Sequence, residues 1–253
     1  MNKLRLLLTL MIVLLSACVT TTNAPKARVV DADKTERTHV HAGLTYLRQG
    51  SREDARRHFS KALGINSRSA GGHNGMALIY QLESNYRLAD KHFIQAIESD
   101  SSYTLARNNY GVFLFRQKRY SEAVTQFLTS SEDLNYNSRQ HAMVNLGRTQ
   151  KQLGDTDAAM ASFKRALGIQ ISLPTASLEI ASIYFDQAEY TSAKYYLDLY
   201  SKHASQTSRS LWLGVQLERI FGNKDKEASY ALALKNLHPY SKEYLEYKNT
   251  VKP

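Results

Sequence analysis

The chain has 253 residues, 43% of them apolar and 22% charged, which is long and apolar enough to bury a sizeable core and excludes the disordered class. Its net charge of +10 invites a nucleic-acid reading, yet lysine and arginine are spread over the whole chain instead of forming a stripe beside aromatics, which argues against one. A single cysteine, Cys18, excludes an internal disulfide framework and any cysteine-based metal cluster.

At the start, Lys3 and Arg5 precede an apolar run over residues 6–15 that is too short to cross a bilayer as a permanent helix. The run ends in Leu15-Ser16-Ala17-Cys18, which resembles the lipobox of bacterial lipoproteins. That resemblance implies a signal peptide over residues 1–17 and acyl chains on Cys18 as the first mature residue. It also implies an outer-membrane address, because Val19 and not Asp follows the cysteine. Each buried CH₂ of such an anchor contributes about 0.8 kcal/mol. Residues 18–35 are small and polar, with Pro25 and no apolar periodicity, and are expected to be the lipidated end and a flexible tether.

From residue 36 a single pattern repeats. Gly43, Ala77 and Gly111 are 34 residues apart; so are Ala55, Ala89 and Ala123, and Phe59, Phe93 and Phe127. Small residues at two slots and an aromatic four after the second, at a period of 34, are the signature of the tetratricopeptide repeat (TPR), a helix–turn–helix unit. The small slots are where the two helices cross, and the aromatic fills the space beneath. Repeats are expected over residues 36–69, 70–103 and 104–138, with Gly50 ending the first helix and Ser51 with Asp54 opening the second. In the third repeat Ser121 is expected to cap the second helix.

Two extra residues then fall in the loop 131–137. A fourth repeat over 139–174 carries Gly147, Ala159 and Phe163, with Asp155 as a cap and Pro174 closing it. A fifth over 175–206 has Ala181, Ala193 and Leu197. The sixth, over 207–239, places Gly214 and Ala228 out of step and is expected to have an irregular internal turn near 221–224. Residues 240–253, with Tyr240, Tyr244 and Tyr247, read as a short amphipathic cap that keeps the array soluble. The fold class is therefore all-α, a superhelical solenoid of about six repeats.

No HExxH, CxxC or glycine-rich phosphate loop occurs, and the eight histidines read as scattered, with His39 and His41 pointing apart on a helix. The expectation is no enzyme, no cofactor, no metal and no small-molecule substrate. Instead the first helices of a solenoid line a groove. Positions flanking the small slot are Val40, Leu44 and Leu47, then Asn74, Leu78 and Gln81, then Asn108, Val112 and Phe115. Val144, Arg148 and Lys151 follow in repeat four, and Leu178, Ser182 and Phe185 in repeat five, so the groove turns from apolar to basic. Of these, Val40, Leu44, Leu47, Leu78, Asn108, Val112 and Phe115 are the candidate contacts for a protein segment, unless packing on the next repeat consumes them.

The lipobox, the tether, six repeats and the run Asn108-Asn109-Tyr110-Gly111-Val112-Phe113-Leu114 followed by Tyr120-Ser121-Glu122-Ala123 together resemble the PilF/PilW family of type IV pilus lipoproteins over essentially the whole chain. The resemblance implies a pilotin, which binds the secretin subunit, escorts it to the outer membrane and promotes its assembly into a ring. The same ingredients also fit a TPR lipoprotein that scaffolds peptidoglycan hydrolases or synthases.

Overall fold

A computed structural model describes residues 31–250, and among these thirteen helices and no strand occur. The signal segment, Cys18 and the tether up to Val30 lie outside the described residues. The helices fall into six hairpins. The first three are α1 Ala32–Arg48 with α2 Arg52–Ile65, α3 Ala70–Leu82 with α4 Tyr86–Ser99, and α5 Thr104–Arg116 with α6 Tyr120–Glu132. Then follow α7 Arg139–Gln152 with α8 Thr156–Ile169, α9 Pro174–Asp186 with α10 Tyr190–His203, and α11 Ser208–Ile220 with α12 Lys224–Leu237. A last helix, α13 Lys242–Thr250, closes the described chain. Each second helix packs on its own first helix and on the first helix of the next hairpin, which builds the all-α TPR solenoid.

The elements start where local chemistry satisfies their free amides. Asp31 accepts from Lys34 N at 3.1 Å, so α1 begins inside the stretch expected to be tether. Ser69 caps α3, Asn85 caps α4 and Asp155 caps α8 in the same way, and Thr207 opens α11 in a reciprocal box with Ser210. Other expected caps differ. Ser51 precedes α2 but spends its hydroxyl on Asp54 at 2.6 Å, and Ser121 lies inside α6, whose cap position is held by Arg119. Pro174 opens α9 instead of closing α8, because a proline's fixed φ and missing N–H suit the first turn of a helix.

Inside each hairpin the turn needs one residue in the left-handed region. Gly50, Gly154 and Gly222 take it at φ 72–84°, and Ser84, Lys118 and Ala188 take it at φ 59–61° in the other three turns. Repeat six is regular after all: a thirteen-residue helix, a three-residue turn and a fourteen-residue helix, as in repeat five. In this register Glu227 stands where earlier repeats have alanine and the buried Ala231 takes the aromatic slot, while Tyr230 packs on Gly214 and Ala228 is exposed.

The core runs the length of the stack. Phe59, Phe93, Phe127, Phe163 and Leu197 are all buried, each beside the alanine four residues earlier. Truncating such an aromatic to alanine costs about 3–5 kcal/mol. Between repeats two and three, Asp90 accepts from Tyr110 Oη at 2.9 Å and from Arg119 Nη1 at 2.8 Å, while Arg119 also grips Glu122. The last helix rests on α11 with Tyr247 edge-on to Trp212 at 6.3 Å, so Trp212 is a packing residue.

Candidate groove for a protein segment

The small slots set how closely first and second helices approach, and that spacing decides which neighbouring side chains remain free. The structure divides the expected groove residues into packing and lining roles. Val40 abuts Gly71 of the next repeat, where an added Cβ would come within 2.6 Å of its methyl. Leu44 and Leu47 are half-buried against Ala55, Phe59, Met76 and Ile79. Leu78, Val112 and Phe115 are half-buried against the cluster of Phe93, Phe113 and Phe127. Asn74 is fully buried, as are Val144 and Leu178 in all but a few per cent of their surface. Those three face the core and are not groove contacts, whereas Val40 and Asn108, at the same place in their repeats, stay half-buried.

What remains open along these first helices includes separate hollows instead of one apolar strip. The first, about 570 Å³, is lined by Val40 and Leu44 with Glu36, Arg37, Arg68 and Tyr103. The second, about 300 Å³, is lined by Val112, Phe115, Arg116, Phe127, Asn145 and Arg148. A smaller hollow of about 180 Å³ shares Phe115 and Arg148 and adds Lys151, Gln152, Glu179 and Arg209. Leu47, Leu78 and Asn108 line none of these three. Asn108 instead accepts from Asn145 Nδ2 at 3.4 Å, while Asn109 donates to Asn74 at 3.0 Å.

The second hollow joins an aromatic floor to cations. Arg148 stands 5.5 Å over the Phe115 ring. Behind it, Glu179 accepts from Lys151 at 2.9 Å and from both Arg209 nitrogens at 2.6 and 3.0 Å. Burial opposes its ionisation, but the hydrogen bonds and charges of Arg209 and Lys151 outweigh burial and hold the carboxyl down at about 2. One carboxylate therefore serves two cations, and Arg116 and Arg148 keep their charge for something else. An aromatic shelf with surplus cations is suited to an acidic or carboxylate-bearing segment with an apolar side chain. No group of three or more metal-ligating side chains converges among the described residues.

The sequence reading missed Arg116, Asn145 and Arg209 as lining residues. Arg209 belongs to the first helix of repeat six, so only the packing of that repeat on the fifth brings it beside Glu179.

The tetratricopeptide repeat family matches residues 74–138 and again 140–170. The chain is 36% identical to the type IV pilus assembly protein PilF of Pseudomonas aeruginosa over 235 residues, 92% of this chain and 93% of that protein. The solved structure of Pseudomonas aeruginosa PilF matches with a TM-score of 0.83 at 36% identity, over 87% of this chain and 99% of that one. The crystal structure of PilW, a widely conserved type IV pilus biogenesis factor, matches with a TM-score of 0.72 at 25% identity, over 84% and 98% of the two chains.

Proposed function

The chain belongs to the PilF/PilW family of TPR proteins of type IV pilus biogenesis, and from that premise we propose that it is a pilotin. In this reading it is a non-enzymatic outer-membrane lipoprotein facing the periplasm, anchored through acyl chains on Cys18. It captures the secretin subunit and promotes its location and multimerisation at the outer membrane. The similarity to PilF across 92% of the chain carries the reading. The chemistry of the face supports it: Phe115 and Arg148 offer an aromatic and a free cation side by side.

No step needs a cofactor or covalent change. Lipid supplies location, the TPR face supplies capture, and tethering raises the local concentration of subunits at the membrane. The direct test is capture of purified secretin subunit by the immobilised soluble chain. Arg116→Glu with Arg148→Glu should weaken capture about tenfold or more, because both charges are exposed and unspent, while far-UV dichroism stays unchanged. Undiminished capture by that double variant places the contact elsewhere, and no capture by the parent chain contradicts the secretin reading. In that case capture of peptidoglycan hydrolases or synthases is the outcome to look for.

A further inference from the structure

We propose that repeats one and two each carry a two-histidine site for a borderline first-row divalent ion, with Cu(II) bound most tightly. The sites are His39 with His58 and His73 with His92. Within each repeat the two residues are nineteen apart, one on the first helix and one on the second, and both pairs are related by the 34-residue step. The geometry repeats as well. The Nδ1 atoms face each other at 3.1 Å in the first pair and 3.0 Å in the second, with ring centroids 5.2 Å apart in both. Tyr46 and Tyr80 stack on the second-helix imidazole at 5.3 Å each, fixing its plane.

TPR packing does not itself demand imidazoles here. At the same positions repeat three has Arg107 and Gln126, which link the two helices through an ordinary hydrogen bond of 3.3 Å. Two imidazoles aimed nitrogen to nitrogen are a more particular arrangement. With metal–nitrogen bonds of about 2.0–2.1 Å, two ligands stand about 3.3 Å apart in a tetrahedral site and about 2.9 Å apart as cis ligands in a square-planar one. The observed separations lie between those limits, so an ion can enter with a small movement of the rings.

The second pair is also prepared electronically. His73 Nε2 lies 3.1 Å from the Ser67 carbonyl oxygen, which only accepts, so this nitrogen carries the proton and leaves the Nδ1 lone pair bare. A backbone carbonyl on the far nitrogen is the usual support of a metal-bound histidine. His92 then supplies the proton between the rings. On metal binding that proton leaves Nδ1 and His92 is reprotonated at Nε2 from solvent, so both ligands stay neutral and the balance at neutral pH is zero. Lys91 beside His92, and Lys61 and Arg57 beside His58, oppose an incoming cation, and Asp54 beside His58 favours one.

With two protein ligands each, the sites are open, and water completes the coordination. They form exchangeable clips between first and second helices, in the two repeats that line the hollow around Val40 and Leu44. Imidazole donors together with the Irving–Williams order place Cu(II) above Ni(II) and Zn(II).

The test is titration of the untagged full chain in detergent with CuCl₂ and ZnCl₂, followed by calorimetry and by electron paramagnetic resonance of the copper form. Two sites with nitrogen hyperfine structure and a raised thermal midpoint are expected. His73→Gln should remove one, His39→Gln or His58→Gln the other, and His39→Gln with His73→Gln both. Glutamine can keep the helix-to-helix hydrogen bond, so the variants should stay folded by circular dichroism. Copper uptake by the double variant equal to the parent, or no uptake by the parent, overturns the proposal.

Discussion

The Phe127 ring occupies the volume that a side chain on Gly111 would need: a Cβ there would lie 2.7 Å from the ring. The same relation joins Phe163 to Gly147 and Tyr230 to Gly214, and the Phe59 ring is pressed between Gly43 of its own repeat and Gly75 of the next. The small slot is therefore the footprint of the aromatic, and the 34-residue step records a contact instead of a local preference. Where Ala77 and Ala181 occupy the slot, the stack accommodates one methyl.

Gly111→Ala should destabilise the chain by about 1–3 kcal/mol, since overpacking outweighs the roughly 1 kcal/mol that alanine gains in a helix. Gly168→Ala should do the opposite and stabilise by up to about 1 kcal/mol, because nothing lies within 4 Å of a Cβ there. Urea midpoints of the two variants test both signs.

Ala188 holds φ at 61° in the turn between α9 and α10, where three other turns use glycine. Relief of that strain, about 1–2 kcal/mol, exceeds the entropy glycine returns to the unfolded chain. Ala188→Gly should raise the thermal midpoint, and a fall would show that the turn is not strained.

Tyr110→Phe should cost about 1 kcal/mol by removing the hydroxyl's bond to Asp90 while Arg119 still serves that carboxylate. Asp90→Ala should cost more, because it leaves both Tyr110 and Arg119 without their shared acceptor. Denaturant titration should preserve that order.

Acid should loosen the first two repeats before carboxylates titrate. Burial lowers His58, His73 and His92, the last to about 4, with the facing histidine adding to the effect at His58 and His92. The unfolded chain takes up these protons near pH 6.5 and the folded chain only further down, so stability is full above about pH 6.5 and falls as pH drops toward 4. Lys61, Arg57 and Lys91 oppose protonation, and Asp54 favours it. His73→Gln with His92→Gln should flatten the dependence of the urea midpoint between about pH 6.5 and 4.5.

The array was legible in the sequence because packing restricts the small and aromatic slots to few residue types. Repeat six hides its register because Glu227 fills an alanine slot and the exposed Ala228, the next residue, imitates it. Val144, Leu178 and Asn74 were read as groove residues because one helical position serves core or groove according to how far the helix is rotated, and sequence does not fix that angle. The histidine pairs stayed hidden because their partners lie on different helices nineteen residues apart. Arg209 joined Glu179 only through contact between repeats.

The most direct measurement of the central claim is fractionation of a deletion strain's membranes, with a blot for heat- and detergent-resistant secretin multimers. The account predicts that multimers vanish or move to the inner membrane, that the intact gene restores them, and that a Cys18→Ala copy does not restore their location. Multimers unchanged in amount and place in the deletion strain would contradict it.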